Sequence, residues 1–267
     1  MNDDQFRQLL GYFDFSWAGY RKVRKGVKKR IGRHMMALGC EDLASYLSVL
    51  ESDDASRLEC DRLMTVSISR FFRDRRLWEG LREEILPPLV RGRGEPFRVW
   101  SAGCAGGEEA YSFHMMWALL KESLSSMPEV VIIATDLNEE CLERARAGVY
   151  TPGSLREVSK GLRKRFFETL VKGQRYGVKP FLKENICWER HQLLGAPPGD
   201  GFHIILLRNN VMTYFQEPLR VEVLNQVISS LAPSGLLVLG ARERLPESVH
   251  GMVALPDYPF IYRKEPG

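Results

Sequence analysis

Hydrophobic positions along the chain follow two different periods, and the period changes after residue 96. Before that point, apolar residues recur at three- and four-residue spacing, as in Leu43, Tyr46, Leu47 and Leu50. This spacing predicts amphipathic helices over the first 85 residues. The stretch RGRGEP, residues 91–96, contains two glycines and a proline and predicts a loop.

Beyond that loop, short apolar runs alternate with helical patterns. The strand-like runs are FRVWSAG, EVVIIATD, FHIILLRN and SGLLVLGA, and EEAYSFHMMWALLKESL, EECLERARAGV and PLRVEVLNQVISSL are helical in pattern. Such alternation predicts an α/β fold with an open, mostly parallel sheet. The less regular segments RYGVKPF and ICWERH are consistent with short antiparallel strands of a small subdomain at about 165–190. We therefore expect a helical domain over 1–85 and an α/β domain over 86–267.

Composition restricts the class of protein. The 267 residues are 44% hydrophobic, and no apolar run reaches the roughly 18 residues that a membrane helix needs. The N-terminal sequence MNDDQFRQLL does not resemble a secretory signal. The five cysteines form no CxxC or CxxH pair, so we expect neither a disulfide framework nor a metal site. These features favour a cytoplasmic protein without membrane insertion.

Positive charge is concentrated near the N-terminus. The net charge is only +4, yet eight basic residues and no acid lie between Arg21 and Arg33. Such a run is either a solvated helix face or a docking surface for an acidic partner, which could be a protein helix or a nucleic acid. Aromatic residues are sparse within it, which weakens the case for single-strand stacking.

The segment SAGCAGGEEAYS, residues 101–112, follows a predicted strand and leads into a predicted helix near Glu108. Glycines in such a turn let a ligand approach the backbone at the carboxyl ends of the strands. Acidic residues at a helix N-terminus suit the helix dipole and repel a phosphate. S-adenosylmethionine carries an ammonium and a sulfonium and no phosphate, so the segment favours it over NAD. Ordinary helix capping is the alternative.

Three further residues are candidates for chemistry. Asp136 ends the strand IIATD, where an acid accepts hydrogen bonds from ribose hydroxyls or caps the next helix. Arg73 in SRFFRD is either a carboxylate-holding cation or a surface residue. Tyr214 in RNNVMTYF follows a predicted strand and either faces the site or packs.

These stretches together resemble the CheR-type chemotaxis protein-glutamate O-methyltransferases. The matching text is FFRD, VWSAGCAGGEEAYS, ATDLNEECLERARAGVY and LLRNNVMTYF followed by LAPSGLLVLG, and the resemblance runs from about residue 13 to 263. It implies a class I, Rossmann-like methyltransferase domain with a small helical N-terminal domain and a small β-subdomain. It also implies S-adenosylmethionine as the cofactor and S-adenosylhomocysteine as the product.

The resemblance further implies roles for individual residues. Arg73 and Tyr214 match the active-site positions of the family. The positions that match its cofactor-binding residues are Ser67, Ser69, Arg73, Glu109, Asp136, Gln192, Leu193, Arg208 and Asn209.

The sequence departs from the family pattern at several points. Ser67 and Ser69 replace the usual Asn and Thr, and Gln192 replaces an Asn. RNNVMTYF has one residue more between its Arg and Tyr than the usual RNVMIYF. The loop around KGQRYGVK is shorter than in members that tether to a receptor's C-terminal peptide.

We expect a monomer that methylates glutamates of an acidic helical protein, such as a chemoreceptor signalling domain, docked by the basic run. The alternatives are methylation of another protein or of a small molecule, and a non-catalytic cofactor-binding adaptor. A nucleic-acid partner is the least favoured, because the sequence has no recognised base-reading motif.

Overall fold

The structure is a computed structural model that describes residues 1–67, 69–124 and 126–265. The chain divides into two compact units. The first contains Met1–Val66 and Asn210–Glu222, and the second contains Ser67–Asn209 and Val223–Gly267. The predicted division of the chain into a helical domain over 1–85 and an α/β domain over 86–267 stays a prediction.

The first unit is mostly helical. In the second unit, helices and strands alternate along the chain. Among the described residues, a π-helical segment spans Leu81–Ile85 and a 3₁₀ turn spans Pro180–Leu182. The α-helices are α1 (Asp3–Tyr12), α2 (Trp17–Tyr20), α3 (Arg24–Ala37), α4 (Leu43–Ser52), α5 (Asp54–Met64), α6 (Arg75–Gly80), α7 (Leu86–Val90), α8 (Glu108–Ser123), α9 (Glu139–Ala147), α10 (Lys160–Phe166), α11 (Val211–Tyr214) and α12 (Glu217–Ser229).

The strands form two sheets. The strands are β1 (Phe97–Ala102), β2 (Val130–Asp136), β3 (Val149–Tyr150), β4 (Phe167–Val171), β5 (Arg175–Val178), β6 (Ile186–Arg190), β7 (Phe202–Leu206), β8 (Leu231–Val238), β9 (Met252–Leu255) and β10 (Tyr258–Lys264). The larger sheet has the order β6-β2-β1-β7-β8-β10-β9, and the smaller one has the order β3-β5-β4.

In the first unit, the helical spacing that the sequence predicts corresponds to a real core face. Leu43, Tyr46 and Leu50 of α4 are buried, and they pack with Phe6 and Leu9 of α1. Capping boxes begin both helices, because Asn2 and Asp42 each accept a hydrogen bond from the amide three residues later.

In the second unit, four strand pairs of the larger sheet are parallel, and β10 is antiparallel to β8 and β9. The central strands are apolar because helices cover both of their faces. This arrangement confirms the predicted α/β, Rossmann-like fold. It brings the carboxyl ends of β1, β2, β6 and β7 to the same edge of the sheet.

One strand prediction is wrong. ICWERH is not an antiparallel strand of the small subdomain, because β6 pairs in parallel with β2 at the edge of the larger sheet. Its mixed polarity reflects an edge position, where one side of the strand stays near solvent. RYGVKPF does contribute an antiparallel strand, since β5 lies between β3 and β4 in the smaller sheet.

The helices of the described residues include none that is long and apolar enough to cross a membrane. All five cysteines are free thiols, and three of them, Cys60, Cys104 and Cys141, are buried.

Gly107, at the junction of the turn and α8, is a position where a side chain should not fit. Its φ is +86°, and an added Cβ would lie 2.8 Å from Ala145 Cβ and 2.8 Å from the Trp188 ring. We expect Gly107→Ala to lower the free energy of unfolding by roughly 2–4 kcal/mol, measured by urea denaturation. Gly161→Ala in α10 is the matched control, because nothing lies within 4 Å of its Cβ position. Equal effects of the two substitutions would contradict this account.

Candidate functional site

The glycine-rich turn after β1 uses its own amides to hold its shape. Gly103 and Cys104 both donate to the carbonyl of Thr135 at 2.8 Å, and Gly107 donates to Cys104 at 3.0 Å. Ala105 donates to Asp136 Oδ2 at 2.8 Å. A phosphate-binding loop presents such amides to its ligand, whereas here four of them already have protein acceptors.

Asp136 connects that turn to the end of β2. In addition to Ala105, its carboxylate accepts a bond from the amide of Asn138 at 2.9 Å, and only 8% of the residue is exposed. Burial raises the pKa of Asp136, and the two amide bonds oppose the shift. Asn138, rather than Asp136, caps α9 by accepting from Glu140 at 3.1 Å.

Glu109, in the first turn of α8, has a partner on each carboxylate oxygen. Ser101 of β1 donates to Oε1 at 2.7 Å, and Arg208 donates to Oε2 at 3.0 Å. Burial raises the pKa of Glu109, while the charge of Arg208 and the Ser101 hydroxyl oppose that rise. The carboxylate therefore has a fixed orientation at the carboxyl ends of β1 and β7.

Arg208 is a buried cation that joins three segments. Its side chain is 3% exposed and pairs with Asp74 at 2.7 Å as well as with Glu109. It also donates to the carbonyl of Arg73 at 2.9 Å and lies over the Trp78 ring. Because Arg208 directly follows the strand segment FHIILL, this network fixes the 73–74 segment against the end of the sheet.

Arg73 is half-buried within a strained segment. Phe72 and Asp74, its two neighbours, have φ values of +51° and +62°. Its carbonyl accepts bonds from both Arg208 and Trp78 Nε1, so the backbone at this residue is fixed. The Arg73 charge also acts to lower the pKa of Glu109, so the two side chains interact electrostatically.

Asn209 is a third strained position, with φ of +56°. Its amide donates to Glu243 Oε2 at 3.0 Å, and the amide of Gly240 donates to the same oxygen at 2.7 Å. A Cβ on Gly240 would lie 2.5 Å from Asn209 Nδ2 and 2.7 Å from Glu243 Oε2, so a side chain there would displace these two groups.

The remaining predicted cofactor residues, Gln192, Leu193, Ser67 and Ser69, belong to the same compact unit as these groups. Gln192 and Leu193 come two and three residues after β6, and the intervening His191 donates its amide to the carbonyl of Asp136 at 3.1 Å. Ser67 and Ser69 are half-buried and flank residue 68, which lies outside the described residues.

Tyr214 belongs to the first compact unit. Its ring lies against Tyr20, with centroids 4.9 Å apart, and its carbonyl accepts from the amide of Ser16 at 2.7 Å. Gly19 also approaches this segment, because a Cβ there would lie 2.1 Å from the carbonyl oxygen of Thr213. The shared role of Arg73 and Tyr214 therefore remains a prediction.

Four residues of this network escaped the sequence analysis as site residues. They are Asp74, Trp78, Ser101 and Glu243, and each holds a predicted site residue in place. Asp74 lies inside the FFRD motif, and Ser101 is a fully buried polar residue at the end of an apolar strand. Asp74 and Ser101 could therefore have been found from the sequence, whereas Trp78 and Glu243 resembled ordinary helix and loop residues.

The chemistry of this donor set fits S-adenosylmethionine better than a dinucleotide. The turn offers carboxylates and few unused amides, which suits a ligand that has cationic groups and hydroxyls and no phosphate. Glu109 would hold the amino-acid portion of the cofactor, and Asp136 would hold the ribose hydroxyls. Among the described residues, no group of three or more His, Cys, Asp or Glu side chains is placed to hold a metal ion.

Comparisons with known proteins identify the family of the chain. Residues 67–256 match the family model described as "CheR methyltransferase, SAM binding domain". The "Chemotaxis protein methyltransferase" of Listeria monocytogenes is 31% identical over 236 residues, which cover 88% of this chain and 87% of that protein.

A larger relative and a solved structure are similar to parts of the chain. An uncharacterized 104.1 kDa protein of Rhodobacter capsulatus is 33% identical over 82% of this chain, and the match spans only 23% of that protein's length. A TehB-like SAM-dependent methyltransferase from Corynebacterium glutamicum is 12% identical with a TM-score of 0.40, and the match covers 73% of this chain and 96% of that one. The family match and the Listeria relative are decisive: this chain is an S-adenosylmethionine-dependent methyltransferase of the CheR family.

Proposed function

We propose that this protein transfers a methyl group to glutamate side chains of an acidic, helical protein, such as the signalling domain of a chemoreceptor. The observation that carries the proposal is the fixed backbone of Arg73 beside the Glu109–Arg208 pair. A cation at this position supports the proposal, because a guanidinium can bind a substrate carboxylate beside the expected cofactor. The names of the relatives support the same substrate class.

The chain's own residues mainly align the reacting groups. Bound S-adenosylmethionine supplies an electrophilic methyl group on its sulfonium. A substrate glutamate is ionised at neutral pH, because its ordinary pKa is about 4.3, so no general base is needed. Arg73 orients the substrate carboxylate or the cofactor's carboxylate, and Tyr214 orients groups near the methyl. Alignment of this kind contributes about 7–11 kcal/mol in favourable cases.

We assign substrate docking to the exposed part of the basic run. Arg24 and Lys28 pair with Asp3 at 3.1 and 2.7 Å, and Arg30 donates to main-chain carbonyls of the same unit. These three cations have internal roles. The five that are exposed, and that we assign to docking, are Arg21, Lys22, Lys25, Lys29 and Arg33.

The first test is cofactor binding. Calorimetric titration with S-adenosylhomocysteine should give micromolar affinity. Glu109→Ala and Asp136→Ala should each weaken it about 10- to 100-fold, because each removes a charged hydrogen-bonding partner. Glu143→Gln on the exposed side of α9 is the control and should bind like the wild type. Unchanged affinity in both alanine variants would remove Glu109 and Asp136 from the cofactor site.

The role of Arg73 is tested by turnover. Arg73→Ala should lower kcat by about 100-fold, because alignment of the carboxylate is lost, while Tm changes little at this half-buried position. The transferred label should be recovered as base-labile methyl ester. Arg76→Ala, an exposed neighbour, is the control. A loss of stability that matches the loss of turnover would indicate a structural residue instead.

Docking predicts a salt dependence. Raising salt from roughly 0.05 to 0.3 M should raise KM severalfold and leave kcat nearly constant, because screening weakens attraction between exposed charges. Lys25→Glu combined with Lys29→Glu should raise KM at low salt. Lys121→Glu combined with Lys160→Glu changes the net charge equally on the other unit and should not. If the two pairs raise KM equally, the effect is one of net charge rather than of this surface.

A further inference from the structure

Glu108 and Glu109 are adjacent acids with different surroundings. Glu109 has a cation and a hydroxyl as partners, as described above. Glu108 begins α8 and is only 7% exposed. Its Oε1 accepts a long bond of 3.3 Å from the Ser154 hydroxyl, and its Oε2 has no hydrogen-bond partner among the described residues. Burying a carboxyl oxygen without a hydrogen-bond partner costs free energy.

Glu108 is the common anchor of two backbone amides that precede Arg73. The amide of Phe71 donates to the carbonyl of Ser154 at 3.1 Å, and the hydroxyl of Ser154 bonds the Glu108 carboxyl. The amide of Phe72 donates to Ser112 Oγ at 2.9 Å, and that hydroxyl donates to the Glu108 carbonyl at 2.6 Å. Both connections therefore end on Glu108, one on its side chain and one on its backbone.

The segment held in this way needs external support. Phe72 and Asp74 both lie in the left-handed region, which is unfavourable for residues other than glycine. They persist only where neighbouring groups impose the conformation. Arg208 supports the segment at Arg73 and Asp74, and the Glu108 connections support it at Phe71 and Phe72.

Among the residues that the structure describes, none forms a direct ion pair with Glu108. Arg144 of α9 acts on it electrostatically, and that guanidinium donates to Cys141 Sγ at 3.1 Å. Tyr150 of β3 directs its hydroxyl to the carbonyl of Gly106 at 2.6 Å. Burial raises the pKa of Glu108, and its own backbone amide, the Ser154 hydroxyl, the Arg144 charge and the Ser69 hydroxyl oppose the rise only in part.

We propose that Glu108 is a positioning residue, held as the neutral carboxylic acid, that fixes the strained segment carrying Arg73 through its bond with Ser154. A neutral acid keeps the bond with Ser154 and avoids burying an unpaired negative charge. The inference rests on the proposed function in one respect, namely that the segment from Ser69 to Arg73 borders the cofactor.

The protonation state is measured directly by carbon NMR of protein labelled at the glutamate carboxyl carbons. The Glu108 resonance should keep its protonated position after exposed glutamates have ionised near their ordinary pKa of about 4.3. Its loss in Glu108→Gln distinguishes it from the resonance of Glu109, whose pKa burial also raises. If the resonance lost in Glu108→Gln titrates with the exposed glutamates, the proposal is overturned.

The positioning role is measured by calorimetric affinity for S-adenosylhomocysteine. Glu108→Ala should weaken binding about tenfold, whereas Glu108→Gln, which imitates the neutral acid, should bind within about twofold of the wild type. Ser154→Ala should resemble Glu108→Ala, and the double variant should be no weaker than either single one, because both remove the same connection. Wild-type affinity in Glu108→Ala would overturn the role, as would a tenfold loss in Glu108→Gln.

The pH dependence has a definite sign. A raised native pKa means that the folded protein holds a proton that the unfolded chain has lost, so Glu108 lowers stability as pH rises from about 4 to its native pKa. The Tm of Glu108→Gln minus that of the wild type should increase over this window and then level off. A flat difference would contradict the neutral acid.

A wild-type protein that binds no S-adenosylhomocysteine would instead refute the proposed function. The NMR comparison, which needs no ligand, would still decide the protonation state of Glu108.

Discussion

The buried guanidinium of Arg208 is the constraint on which the site depends. Removing such a cation from water costs several kcal/mol, so it is tolerated only where most of its donors have acceptors. Asp74, Glu109 and the carbonyl of Arg73 provide those acceptors. In satisfying Arg208, the chain fixes the end of β7, the first turn of α8 and the 73–74 segment relative to one another. The orientation of Glu109 is thus a consequence of burying Arg208.

Backbone strain is concentrated where this network acts. Phe72, Asp74, Ala105 and Asn209 are non-glycine residues with positive φ, and all four belong to segments that reach Arg208, Glu109 or Asp136. Strain that accumulates in this way persists because the surrounding contacts determine the backbone more strongly than local preference does. The seven-stranded sheet supplies that rigidity, since its central strands are buried on both faces. The site is therefore stable only as part of the complete α/β unit.

Hydrophobic periodicity predicted the central strands β1, β2, β7 and β8, and the helices α4, α8 and α12, because burial on one or both faces leaves a direct pattern in the sequence. It also indicated β6 as a strand but assigned it to the wrong sheet, because an edge position mixes polar and apolar residues. The motif resemblance identified the family. Sequence patterns could not predict the contacts of Arg208, because these contacts join residues 99 and 134 positions apart and no local pattern marks such pairs.

Charge patterning alone treated Glu108 and Glu109 as equivalent acids that welcome a cationic ligand. Their side chains leave the same helical turn in different directions, because consecutive helical residues point about 100° apart. The Glu109 carboxylate contacts Arg208 and Ser101, whereas the Glu108 carboxyl contacts the hydroxyl of Ser154. A buried carboxylate with a cation remains useful as a charge, whereas one without a cation is easier to hold as an acid. We therefore expect the two acids of the turn to have different roles, Glu109 towards the ligand and Glu108 towards the backbone that surrounds it.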